Sequence, residues 1–267
     1  NKRIVFDIVD SLVVNFERRL LNANFLYKFL LKEELFRLCY FEEKLISKSI
    51  ITIFVSSIDA EKYRKKYTDS IRIIPLGIKV KDKEIKEIKI KYDIIFSGNM
   101  NYQPNIDAVI WFYNNCWDLI LKKLPNTSFV IAGRNPSREI KNLKDFNKNI
   151  TVTGEVKSIS DVISSSNISI APMISGSGMQ YKILESMSKG VPVIATEIGL
   201  GDLTSKIGRD ILITNSPMEF ADLIIKLLLD KNLSKKIGEN GKKYVSENHS
   251  FKLLNEKFCE IVAQCDK

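Results

Sequence analysis

Short apolar runs alternating with helical patterns, almost from end to end, constrain this chain more than any other feature. In the first third, IVFDIV (4–9), TIFVSS (52–57) and IRIIPLG (71–77) are separated by a long helical stretch at about 16–48 and by IDAEKYRKKY (58–67). A second series begins with YDIIFSG (92–98) and continues through a helix over 105–123, SFVIAG (128–133) and ITVTG (150–154). A helix over 158–165, ISIAP (168–172), a helix over 179–189, VPVIAT (191–196) and DILIT (210–214) follow. Helices over about 217–229, 232–246 and 250–263 close the chain. Runs this uniformly apolar are strands covered on both faces, and their alternation with helices marks parallel α/β units. The expected fold class is therefore α/β, with a Rossmann-like domain in the second series. Residues 79–91, KVKDKEIKEIKIK, follow a Pro-x-Gly stop and read equally as an interdomain linker or as a charged edge strand. With 267 residues, 45% of them hydrophobic, the chain can build one large domain or two modest ones.

Composition narrows the function classes. A formal net charge of +9 favours anionic partners: nucleotides, phosphates, nucleic acid or an anionic membrane surface. The lysines are spread widely, and an Ile/Lys/Asn-rich bias accounts for them equally well. Basic residues are not interleaved with aromatics on one face, which argues against nucleic acid. Cys39, Cys116, Cys259 and Cys265 have no CxxC spacing and the chain has a single histidine, so neither a zinc site nor a disulfide framework is expected. That cysteine usage fits a reducing compartment. No apolar run approaches the ~18 residues of a membrane span. The chain opens at Asn1, directly before a buried-strand pattern, which reads as a fragment lacking an N-terminal part.

In an open parallel sheet, ligands bind where strands run into helices at their carboxyl ends. Four such loops stand out: SGNMNYQPN (97–105), AGRNPS (132–137), TGEV (153–156) and SGSGMQYK (175–182). All four open at the same sheet edge and can converge on one ligand. In the last, Gly176 and Gly178 let backbone approach a ligand, and a helix start supplies unpaired N–H groups and a positive dipole end. That is an anion site, with phosphate its usual occupant. Lys182 adds a mobile cation, and Glu185, three residues on, shares its face and suits ribose hydroxyls. The competing reading is an ordinary turn followed by an exposed Lys182–Glu185 ion pair. A dinucleotide fingerprint is absent because Tyr181 occupies its third glycine position, and no Walker A sequence occurs. Asp7 and Asp10 lie near the end of the first strand. Asp10 either addresses a substrate hydroxyl or caps the following helix. His249 reads as structural, and Trp111, Phe112 and Trp117 as core packing.

KILESMSKGVPVIAT (182–196) is similar to the core of the retaining group 1 glycosyltransferases (glycosyltransferase family 4, GT-B fold), with Glu185 as the second glutamate of the family's E-x7-E motif. FVSSIDAEKY (54–63) followed by IRIIPLGI (71–78) resembles the exit from the family's N-terminal domain. SGNMNYQPNIDAVIWF (97–112) and VIAGRNP (130–136) resemble the first two donor-domain loops. The first motif glutamate is replaced by Ser177, as in a subgroup whose loop reads G-x-G-M-Q-x-K. The family's Arg and Lys after the first C-domain strand are missing, leaving Arg134 and Lys182 as cations. Val9 stands where the family often has a cleft histidine, with Asp10 beside it.

The resemblance implies a GT-B chain with a partial N-terminal, acceptor-side domain (1–78), a linker (79–91) and a complete C-terminal nucleotide-sugar-binding domain (92–247). A C-terminal helix (248–267) would pack back on the N-terminal domain. It implies transfer from a UDP- or GDP-sugar donor to a saccharide or lipid-linked acceptor with retention, in cell-surface polysaccharide or glycolipid synthesis, without a metal or other cofactor. Donor-binding residues would be Gly98, Asn99, Met100, Arg134, Gly154, Glu155, Ser177, Gly178, Met179, Lys182 and Glu185. Asp10, Arg134 and Lys182 would carry catalysis, with the helix start, Lys182 and Arg134 neutralising the departing diphosphate. Cytoplasmic placement with peripheral contact at the inner membrane face is expected, and no nucleic-acid partner. The alternatives are a noncatalytic nucleotide-sugar-binding module and a GT-B-fold nucleotide-sugar epimerase.

Overall fold

The computed structural model describes residues 4–22, 25–80, 89–176 and 178–264. Most of the expected linker (81–88) and Ser177 therefore lie outside the described residues, as does Cys265. The chain divides into two compact units. One comprises Asn1–Gly77, Ser175–Met179 and Phe251–Lys267; the other comprises Ile78–Ile174 and Gln180–Ser250.

The first unit holds β1 (Val5–Ile8), α1 (Leu12–Asn22), α2 (Phe25–Lys48), β2 (Ile51–Phe54), α3 (Ser57–Arg64) and β3 (Ile71–Ile73). The strands pair in parallel in the order β1-β2-β3, with Ile8 opposite Phe54 and Phe54 opposite Ile73. One sheet face buries Ile8 and Phe54 against Ile46, Ala60 and Tyr63, and the Phe54 and Tyr63 rings stack 5.8 Å apart. The expected helix at 16–48 is in fact α1 and α2, and α1 starts earlier, at Leu12. Its first turn is satisfied by Ser11, whose Oγ accepts from Val14 N at 3.2 Å, and by Glu42 of α2. Glu42 Oε1 accepts from Leu12 N at 2.8 Å and Val13 N at 3.3 Å. The capping role open to Asp10 belongs to Ser11 and Glu42, because unpaired N–H groups at a helix start take whichever acceptor packing delivers.

The second unit contains β4 (Tyr92–Ser97), α4 (Gln103–Phe112), a π-helical turn (Tyr113–Trp117), α5 (Asp118–Lys123), β5 (Phe129–Ala132), α6 (Arg138–Phe146), β6 (Ile150–Gly154) and α7 (Ile159–Ser164). It continues with β7 (Ser166–Ala171), α8 (Tyr181–Ser188), β8 (Val193–Ala195), α9 (Glu197–Leu200), β9 (Leu212–Ile213), α10 (Pro217–Leu229) and α11 (Lys231–Asn248); α12 (Phe251–Gln264) falls in the first unit. The six strands are all parallel, in the order β6-β5-β4-β7-β8-β9. Alternation along β4 sends Ile94 and Phe96 into the core under α4, α5 and α10, and Ile95 to the other face with Val130, Ile163 and Val191. Phe112 and Trp117 are fully buried, and Phe112 meets Phe129 edge-on at 5.1 Å, while Trp111 meets Phe220 at 5.9 Å. His249 ends α11: its N donates to Val245 O and its Nε2 lies 3.1 Å from Tyr244 Oη. It is structural.

From β4 the chain steps outward through β5 and β6, then returns to β4's other side as β7. That reversal opens a crevice at the carboxyl ends of β4 and β7.

Candidate functional site

A cavity of about 610 Å³ occupies that crevice of the second unit. Ser97, Gly98, Asn99, Tyr102 and Asn105 line it from the end of β4 and the start of α4, and Gly133 and Arg134 from the loop after β5. Glu155, Val156 and Ile159 close it from the β6–α7 side, and Gln180, Tyr181, Lys182 and Glu185 from α8.

Close backbone approach sets the frame. Gly133 has φ +149°, and a Cβ there would fall 1.7 Å from the Gly98 carbonyl oxygen. Only glycine lets the β4 and β5 loops meet this closely. Hydrogen bonds tie the same loops: Gly98 N donates to Ala132 O at 3.0 Å and Gly133 N to Gly154 O at 3.2 Å.

Lys182, in the first turn of α8, supplies the charge. Its Nζ donates to Gln180 Oε1 at 2.8 Å and Asn105 Oδ1 at 3.0 Å, lies 3.7 Å from Met173 Sδ, and sits 5.3 Å from the centre of the Phe96 ring. Every one of these partners is neutral, and among the described residues no carboxylate lies within ion-pair distance. Burial holds the Lys182 ammonium down to about 8. The Lys182–Glu185 pair considered from sequence does not form. Glu185 is half-buried, and burial raises its carboxyl above the ordinary range, partly offset by Lys189. Burial and then the Glu185 charge raise the Tyr181 phenol as well. An uncompensated cation beside bare backbone and a carboxylate fits an anion carrying hydroxyl groups.

Of the donor-binding expectations, Gly98, Asn99, Arg134, Glu155, Lys182 and Glu185 line the cavity. Gly154 holds the Gly133 backbone from the end of β6. Met100 is corrected: it is fully buried in the core of the second unit, its N donating to Arg134 O at 2.9 Å, so it braces the loops from beneath instead of lining the cleft. Gly178 and the buried Met179 group with the first unit. Gly178 has φ +73°, and a Cβ on it would come within 2.0 Å of Asp10 Oδ1. Burial, and then the Asp59 charge, raise Asp10 to about 6. Asn105, Gln180, Tyr102 and the apolar pair Val156 and Ile159 escaped the sequence reading. Asn105 was in plain sight in SGNMNYQPN, but its partner Lys182 lies 77 residues away. Among the described residues no cluster of three His, Cys, Asp or Glu could hold a metal ion, and no helix is long and apolar enough to cross a membrane.

The family model for Glycosyl transferases group 1 matches residues 91–230, which contain all the strands and loops of this site. The chain belongs to the group 1 glycosyltransferases. An uncharacterized glycosyltransferase of Methanocaldococcus jannaschii is 27% identical to it over 248 residues, 84% of this chain and 62% of that one. This group 1 chain spans less than two thirds of the length of curated relatives it matches, 62% here and 43% in another case. Among solved structures, WaaG, a glycosyltransferase involved in lipopolysaccharide biosynthesis, superposes with a TM-score of 0.72 at 16% identity, over 95% of this chain and 73% of that one. Anabaena Alr3699/HepE in complex with UDP and glucose gives 0.68 at 12% identity, over 98% and 72%. At these identities the likeness is one of fold: parallel Rossmann-like sheets of the GT-B kind.

Proposed function

We propose that this glycosyltransferase holds a nucleoside-diphosphate sugar, UDP- or GDP-linked, in the cavity of its second unit. In this reading it passes the sugar with retention to a saccharide or lipid-linked acceptor in cell-surface polysaccharide or glycolipid synthesis. The observation that carries the reading is Lys182, a half-buried cation in the first turn of α8 whose partners among the described residues are all neutral. The UDP bound by the Anabaena relative and the lipopolysaccharide role of WaaG support it. Lys182 and Arg134 face the diphosphate, whose charge grows as the anomeric C–O bond breaks, and Glu185 holds the ribose. Gly98, Asn99, Gly154 and Glu155 frame the nucleotide through backbone. Gly178 and Met179 belong to the same proposal, as does Ser177, although that residue lies outside the described ones. Asp10, which changes charge near pH 6, meets the acceptor hydroxyl whose oxygen attacks the sugar.

Isothermal calorimetry with UDP and GDP tests this. Lys182→Ala is expected to weaken binding of the matching nucleotide by about tenfold or more, and Glu185→Ala by several-fold, the range of a lost charge-assisted hydrogen bond. Unchanged affinity in both variants removes the site assignment.

Peripheral contact with the inner face of the cell membrane is part of the proposal. Helix α2 exposes Phe29, Leu30, Phe36, Tyr40 and Phe41 among Lys32, Arg37 and Lys44 and the acidic Glu33 and Glu34, and the aromatics and cations are the groups that would engage an anionic interface. Flotation with vesicles of anionic lipid is expected to carry the protein up, and Phe36→Ser/Tyr40→Ser to leave it behind. Equal flotation of the variant sinks this part.

A further inference from the structure

We infer that Asn105 is a positioning residue for the donor diphosphate: one buried amide joins the two arms of the cavity and holds Lys182 in place without neutralising it. The inference rests on the donor reading of that cavity. Asn105 sits in the first turn of α4 and is 5% exposed. Its Nδ2 donates to Asn99 O at 3.0 Å, and its Oδ1 accepts from Lys182 Nζ at 3.0 Å. The two partners fix which end of the amide is oxygen, since a carbonyl only accepts and an ammonium only donates. Both arms thus depend on a single side chain, whose backbone is locked by its N–H to Tyr102 O at 2.9 Å. The room for it is also built in: a Cβ on Gly98 would fall 2.8 Å from Asn105 Nδ2.

The neutrality of this partner is what matters chemically. A carboxylate at the same place would hold Lys182 equally well, but would cancel its charge before any anion arrived and would face the incoming diphosphate with a like charge. An aliphatic residue would leave the ammonium short of an acceptor and Asn99 O with the Tyr102 amide as its remaining donor. An amide alone does both tasks while leaving the site's positive charge uncommitted. The other groups around Lys182 preserve this balance. Gln180, Met173 and Phe96 are uncharged, and the charged residues lining the cavity are Arg134, Glu155 and Glu185, none of them in an ion pair with Lys182.

The test is calorimetric titration of the full chain with UDP and GDP from pH 6.5 to 9.5, for the native protein and for Asn105→Asp, Asn105→Ala and Lys182→Ala. Native binding is expected to weaken above about pH 8, as Lys182 loses its proton. Asn105→Asp is expected to weaken binding at pH 7 by about as much as Lys182→Ala, and to move the alkaline fall-off to higher pH, because the new carboxylate raises the lysine. Asn105→Ala is expected to weaken binding three- to tenfold. If Asn105→Asp binds as the native protein does, or loses affinity uniformly with the fall-off unmoved, Asn105 does not position Lys182. If neither nucleotide binds, or Lys182→Ala binds normally, the donor reading itself fails, a result distinct from the first. Thermal melts of each variant separate loss of the site from loss of fold: Asn105→Asp that melts with the native chain, binds more weakly and has its fall-off moved to higher pH supports the inference, and a variant already unfolded at the titration temperature is replaced by Asn105→Ser, for which the Asn105→Ala expectation holds.

Discussion

A buried ammonium surrounded by amide oxygens, a thioether and a ring is held at a cost, and the cost has a sign. Lys182 titrates near 8 in the folded chain against an ordinary value near 10.5, because burial penalises the charged form. The folded state therefore carries the full penalty below pH 8, and the penalty is relieved as pH rises from about 8 toward the unfolded value. Ligand binding runs the other way. An anion favours the protonated lysine, so affinity is full below pH 8 and falls above it, with one proton taken up per ligand bound at pH 9. Titrating UDP or GDP at pH 9 in two buffers of different ionisation enthalpy reads that proton directly. Equal apparent enthalpies in both buffers would remove Lys182 as the anion's partner. Residues such as Gly133 act differently, by being absent: its missing Cβ is what lets Gly98 and the β5 loop form one rim.

At the scale of elements, the α1 start shows how distant packing decides local structure. Glu42 of α2 is 4% exposed and accepts from Ser11 Oγ (2.9 Å), Tyr63 Oη (2.7 Å) and the Leu12 and Val13 amides. One carboxylate thereby closes a helix start and fastens α1, α2 and α3 together. Glu42→Ala leaves those donors buried without an acceptor, and a loss of about 2–4 kcal/mol in chemical denaturation is expected. Glu42→Gln, which keeps part of the network, is expected to lose less; equal stability of Glu42→Ala and the native chain would show that water replaces the carboxylate. None of this could be read from the sequence, where Glu42 is one acid among several on a long helical stretch. What could be read were patterns whose cause is local. Uniform apolar runs announced β4, β5, β7 and β8, and two glycines before KILE announced the loop into α8. Helix α6 was missed although Ile140, Leu143 and Phe146 recur at helical spacing, because the stretch is short and mostly charged or polar and so resembles a loop. The π-helical turn at Tyr113–Trp117 has no local signature either. Within the site, Lys182 and Glu185 were legible from their place after a glycine loop, whereas Asn105 and Gln180 acquire meaning only once Lys182 is seen to touch them. Met100 misled because it sits in a polar turn yet points into the core.

For the molecule as a whole, the two units have separate cores, and the cavity proposed for the donor is lined by residues of the second alone. A ligand that binds the native form of one unit stabilises that unit by mass action, by roughly 2.7 kcal/mol at a hundredfold excess over Kd. Local opening of the unit that binds is suppressed accordingly, because amide exchange reports the free energy of each cooperative segment. Hydrogen exchange with saturating UDP or GDP is thus expected to slow most in β4, in the Gly98–Tyr102 turn and in the first turns of α4 and α8, where the cavity wall is built. The strands β1, β2 and β3 contribute no residue to that wall and are expected to respond less. Protection gained mainly in β1–β3, with the α8 amides unchanged, would place the nucleotide in the first unit. That outcome has a concrete rival site to point to, since the first unit has a cavity of about 570 Å³ between its strand ends and α12, lined by Asp7, Ile53, Ile74, Leu76, Lys252 and Phe258 among others. That cavity offers a partly desolvated carboxyl in Asp7, raised by burial, and a single lysine, set mostly among aliphatic and aromatic side chains. Gly77 and the first turn of α12 also border it, but no two glycine loops meet there as they do at Gly98 and Gly133, so the exchange pattern is expected to favour the second unit.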